Sequence, residues 1–258
     1  MLEMTNLGWP VTPYGSTAQI VKKPRRLLTG IAALWADDDG SPVLMSAAAV
    51  FLDVHRTKPV TVTDGTVNFG YRALAAEGPD DTERLLSALD VLFVQARRDA
   101  PAITWHAAQD DLHVMEALRP GRAGVTGLSE AWAGRSHPEK GIARCVDTAK
   151  DVGPDGLLAK TADAAGLPFG PWLRPLQDQE HTQQLYELLL KHPDDPTSKA
   201  LATQGAAIGA LAQALVTAFI GGRHLDHLTW DTPPNAFEAV RDAACDEFPD
   251  LFHPSLPA

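Results

Sequence analysis

From Leu27 to Ala36, and again from Pro42 to Val54, the chain is apolar almost without interruption, with the turn composition Asp37-Asp38-Asp39-Gly40 between the two runs. Apolar runs bounded by turn residues read as buried strands, and a short turn between them makes antiparallel neighbours. Pro59–Tyr71 alternates instead: Val60, Val62, Val67 and Phe69 are apolar, and Asp64-Gly65 stands between two threonines. Asp-Gly flanked by alternating residues predicts a hairpin, so this stretch reads as a third strand or as two short ones. The period then changes. Pro79-Asp80-Asp81 supplies helix-start chemistry, and Leu85, Leu89, Leu92 and Ala96 follow at helical spacing to about Asp99.

Beyond Pro101 the elements shorten. Ala102–Trp105 reads as a strand, Asp110–Leu118 as a short helix, residues 120–140 as loop, Ile142–Val146 as another strand and Leu157–Ala165 as a helix stopped by Gly166. The last third is helical: Glu180–Lys191 with Leu185, Leu188 and Leu189 as its apolar stripe, the Ala-rich Ser198–Ile220, and Asn235–Glu247 with Ala236, Phe237, Val240 and Ala244 on one side. Three antiparallel strands followed by alternating helices and strands predict an α/β fold with a mixed sheet covered on both faces. The expected organisation is a flexible arm over 1–24, an α/β domain over 25–192 and a helical extension over 193–258.

Composition narrows the classes. The 258 residues are 45% hydrophobic, enough for a sizeable core. A formal net charge of −11 weighs against affinity for nucleic acid through bulk electrostatics, although carboxylate-rich metal sites are themselves acidic. Cys145 and Cys245 are far apart and form no CxxC pair, so both read as reduced thiols of a cytoplasmic protein. No basic-then-apolar leader opens the chain. Ala200–Gly222 is the most membrane-like stretch, but its glutamines and its Ala and Gly content favour a buried helix of a protein with no membrane partner.

The stretch with the most chemical content is Ile103–Leu118, in which a strand ends at His106 and Asp110-Asp111 open a helix. An acid there serves as a helix cap, or it points back over the sheet as a metal ligand. The pattern of His106, Asp111, Leu112 and Leu118 resembles the second motif of DEDD-type 3′–5′ exonucleases in the ribonuclease H-like superfamily, and ribonuclease D and its relatives in particular. Cys145-Val146-Asp147-Thr148 followed by Leu157–Leu167 is similar to that family's next strand, its Asp-Thr and the helix beyond. The resemblance spans residues 27–190. It implies a ribonuclease H-like sheet in which four carboxylates hold two Mg²⁺ or Mn²⁺ ions that hydrolyse the phosphodiesters of single-stranded DNA or RNA.

Carried onto this chain, the family pattern assigns metal ligation to Asp53, Asp111, Asp178 and Glu180, with His106 beside them in the catalytic set. It fits unevenly. Asp53 follows an apolar run, but His55 stands where the first motif has Glu; if Leu27–Ala36 is the first strand, that motif is absent, and this is the favoured register. Asp178 matches the third motif in position but lacks the Tyr or His expected before it, since Leu173 and Arg174 occupy those places. The expectation is an active exonuclease or, alternatively, an inactive protein of the same fold that binds nucleic acid or a protein partner. A separate cluster, Gly221-Gly222-Arg223-His224-Leu225-Asp226-His227, reads as polar surface at a helix end, with a metal site through His224 and His227 as the other possibility.

Overall fold

The computed structural model describes residues 1–7, 25–55, 57–99, 102–134, 144–153, 157–168, 179–191 and 195–244. Asp178, Trp172 and Cys245 lie outside the described residues. The chain is an α/β protein built on a six-stranded mixed sheet. Strands β2 (Arg25–Asp38) and β3 (Ser41–His55) form a long antiparallel pair, and β5 (Phe69–Ala75) adds antiparallel to β3. Strands β6 (Ala102–Trp105) and β7 (Arg144–Asp147) add parallel on the other side of β2. The sixth strand is β1 (Leu2–Thr5), antiparallel to β5, which gives the order β1-β5-β3-β2-β6-β7.

Alternation along β2 separates two cores. Leu28, Ala32 and Leu34 face one side, while Leu27, Ile31 and Trp35 face the other. Near the end of the pair a β-bulge intervenes: Leu34 pairs with Ser46 but Trp35 with Leu44, leaving Met45 as the extra residue. The second side is covered by α1 (Thr82–Asp99), α2 (Ala108–Leu118) and α3 (Ala123–Ala133). The first is covered by α4 (Leu158–Ala164), the long α6 (Pro196–His224) and α7 (Ala236–Ala244), while α5 (Gln179–Lys191) packs on α6 and the end of β2. Over Lys199–His224 helix α6 is long and apolar enough to cross a membrane, and 94% of its most apolar window is buried inside the protein.

Several expectations are corrected. Residues 2–5 are not arm but an edge strand; residues 8–24 fall outside the described residues. The Asp64-Gly65 hairpin does not form. Asp64–Thr66 is a single 3-10 turn, and Val60–Thr61 (β4) instead pairs in parallel with Leu228–Thr229 (β8) as a separate small sheet. A two-residue pairing so distant in sequence overrides the local turn signal. The expected loop at 120–140 contains helix α3. Its Gly124 and Gly127, which look like loop residues, allow close packing on α1: a Cβ at Gly124 would stand 2.1 Å from the carbonyl oxygen of Asp90. Helix α6, expected in a helical extension over 193–258, packs on β2, β3, β5 and β6 and forms much of the core.

Candidate functional site

The parallel strands β6 and β7 end side by side, with Trp105 opposite Asp147. After Trp105 the chain turns sharply into α2 through Ala107, whose left-handed backbone (φ 59°) makes it an N-cap without a side-chain hydrogen bond. The helix start is tied instead to the neighbouring strand: the Ala107 amide donates to Asp147 Oδ1 at 3.0 Å, and the Ala149 amide donates to the same oxygen at 3.1 Å. His106 Nδ1 lies 3.0 Å from Thr148 Oγ1. These bonds pin the two strand ends together and aim the first turn of α2 back across the sheet.

Asp111 does lean across the sheet, as the metal-ligand reading requires, and it is not the cap of its own helix. What it meets is aromatic. Trp35 Nε1–H donates to Oδ1 at 2.8 Å, and Trp105 Nε1–H donates to Oδ2 at 2.8 Å. Trp105 is fully buried against Phe93 and Trp132, so its indole is a rigid donor. Although Asp111 is half-buried as a residue, its carboxyl group lies deep in the protein. Burial pushes Asp111 up to about 7; the two indole hydrogen bonds oppose the rise, and the charges of Asp110 and Asp147 add to it. Asp147 is wholly buried, and its Oδ2 has no hydrogen-bond partner among the described residues.

Neither Asp53 nor Glu180 forms with Asp111 a group that could hold a metal ion. Asp53 pairs with Leu27, whereas the indoles that hold Asp111 stand on Trp35, eight residues further along β2, and on Trp105, which pairs with Ile31 four residues further along, so Asp53 lies roughly 13–26 Å of strand from them. Its grouping with Asp111 as metal ligands is therefore corrected. The cause is the register: Leu27–Ala36 lies within the central strand, and Asp53 belongs to the next one. Glu180 sits in the first turn of α5, one turn before Gln183, whose Oε1 accepts the Asp37 amide. His106 lies at the site but is tied to Thr148. Asp178 lies outside the described residues.

Two magnesium or manganese ions need several hard oxygen ligands converging on one place. Among the described residues no group of three His, Cys, Asp or Glu side chains is placed to hold a metal ion. On β2 the positions facing Asp111 are Ile31, Ala33 and Trp35 rather than acids. Both oxygens of Asp111 are engaged by indoles, leaving Asp147 Oδ2 as the one carboxylate oxygen of the cluster without a hydrogen bond. The donors present among the described residues do not make up a two-metal centre. The arrangement can hold a proton and brace the strand ends.

Trp35 is the residue that sequence reasoning missed. Its signal was available: an aromatic residue on the same face as Leu27 and Ile31, at the far end of the central strand. Asp147 was noticed only as part of an Asp-Thr pair, and its buried, half-satisfied carboxylate needed coordinates. Comparison with family models, with curated proteins and with solved structures found no match to this chain.

Proposed function

We propose that this chain is a protein of ribonuclease H-like, exonuclease-type architecture that does not carry out two-metal phosphodiester hydrolysis and works as a binding module for a protein partner. The architecture is supported by five of the six strands. In chain order, β2, β3, β5, β6 and β7 assemble as third-second-first-fourth-fifth, with the first three antiparallel and the last two parallel to the first. The loss of hydrolysis rests on one observation above all: the Asp111 carboxylate is engaged by the indoles of Trp35 and Trp105, and Trp35 occupies a face of the central strand where the family places metal-binding acids. A protein partner is favoured over single-stranded DNA or RNA by the net charge of −11, because phosphate contacts through Lys and Arg supply most non-specific affinity.

The test has two arms, each on the full chain. Incubation with 5′-labelled single-stranded DNA and RNA in Mg²⁺ or Mn²⁺ is expected to give no ladder of shortened labelled products. Calorimetric titration with Mn²⁺ is expected to show no tight site. Metal-dependent shortening that is lost in Asp111→Asn would overturn the proposal and restore the active 3′–5′ exonuclease reading.

A further inference from the structure

At the C-terminal end of α6 the surface folds into a cleft of about 510 Å3, a size suited to a small organic molecule. Val152, Ile220 and Trp230 give it an apolar floor, and Arg223, His224 and Asp231 stand exposed on its rim. The proposed role of the chain uses none of these residues.

Arg223 is held in two ways. Its guanidinium carbon lies 4.5 Å from the centroid of the Trp230 ring, and its Nη1 donates to the Ala165 carbonyl oxygen at 2.9 Å. A guanidinium carries five N–H donors in a rigid fork, so this anchoring leaves Nε and Nη2 without a hydrogen-bond partner among the described residues. Trp230 is buried, and its indole N–H also has no partner among the described residues. Basic residues in the last turn of a helix complement its dipole, which accounts for the charge of Arg223. The dipole does not account for a guanidinium locked onto an indole at the mouth of a cleft with one edge of its fork unpaired among the described residues.

The geometry points to a binding site for a small organic monocarboxylate. The ligand's carboxylate takes the free Nε–Nη2 edge of the Arg223 fork in the bidentate arrangement that carboxylate and guanidinium share, with His224 beside it. Its apolar body lies on Val152, Ile220 and the uncovered part of Trp230. Asp231 on the rim and the overall charge of −11 work against a dianion such as phosphate, which sets the class apart from other anions.

The experiment is titration of the ¹⁵N-labelled full chain with benzoate and, separately, with inorganic phosphate at constant ionic strength. It follows the Trp230 indole N–H resonance, assigned through Trp230→Phe. The expected result is a saturable shift with benzoate and a weaker or absent one with phosphate. Arg223→Lys, which keeps the charge but loses the fork, and Arg223→Gln should each weaken benzoate binding by about tenfold or more. An indole resonance that does not move saturably with benzoate overturns the site. Phosphate binding more tightly than benzoate overturns the ligand class. Benzoate affinity unchanged in folded Arg223→Lys overturns the role of the fork, and if Arg223→Gln fails to fold, the wild-type titration and the Lys variant still decide.

Discussion

On the face of the sheet covered by α4, α6 and α7, helix α6 lies so close that Gly30 has no room for a Cβ. On the other, three helices stand off on a layer of Trp105, Trp132, Phe93 and Phe51. The close face is made of small residues: Ala206, Ala207, Ala210, Ala214 and Ala218 all lie in its core. Such a contact depends on backbone approach and has no side chain that can give way. The aromatic face tolerates polar chemistry, and it holds Asp111, whose carboxyl group is strongly perturbed by burial. The difference teaches where this protein accepts change. A methyl group is too much at Gly30 beneath α6, as it is at Gly124 between α3 and α1, while around Asp111 the sensitive features are hydrogen-bond donors.

The largest effect should come from the close face. A Cβ at Gly30 would lie 2.3 Å from the Ala214 carbonyl oxygen and 2.7 Å from the Ala218 Cβ, so Gly30→Ala forces α6 outward. Urea unfolding should show a loss of about 3 kcal/mol; a loss below about 1 kcal/mol would show that α6 shifts freely and the contrast between the faces is wrong. Next comes Trp105→Phe on the aromatic face. It keeps most of the ring but strips Asp111 Oδ2 of its donor, at a cost of about 2 kcal/mol. Trp35→Phe does the same to Oδ1, and the double variant should depart from additivity because both indoles serve one carboxylate.

A third effect is one of pH. Asp111 binds its proton more tightly in the folded chain than in the unfolded one, where the ordinary value is 3.8. The stability this group contributes is therefore fully present below about pH 4 and is lost as pH rises toward 7. Unfolding free energies measured from pH 4 to pH 8 should fall across that window in the wild type, and the fall should be smaller in Asp111→Asn. An identical slope in both proteins would remove Asp111 as its source. The smallest effect belongs to the outer side of α1, where Val91 and Val94 are exposed. Val91→Ser with Val94→Ser should change stability by no more than about 0.5 kcal/mol each.

Local periodicity was enough to find β2, β3, α1 and α2, because their apolar residues recur with the period of the element they form. Helix α3 escaped notice because Gly124 and Gly127 resemble loop residues until the neighbouring α1 is in view. The β4–β8 pair escaped because its partners are joined only by the finished fold. Helix α6 was found, but it was placed outside the domain. An Ala-rich helix apolar on every side has nowhere to go except a core, and that argument was open to sequence reading alone. At the site, the spacing from His106 to Asp111 placed the acid well. What it could not supply was the identity of the groups facing the acid, since Trp35 lies 76 residues away along the chain.

The extra residue at Met45 has a consequence for any rearrangement of this chain. It acts as a phase change in the β3 ribbon: Leu44 and Ala47 end up on the aromatic side together, although three positions separate them. Were Met45 paired regularly opposite Trp35 instead of skipped, Ser41–Leu44 would turn inside out, driving Leu44 toward the α6 side and taking it from the layer beside Trp35. That one skipped position keeps the tip of the longest hairpin in step with the tryptophan that closes over Asp111.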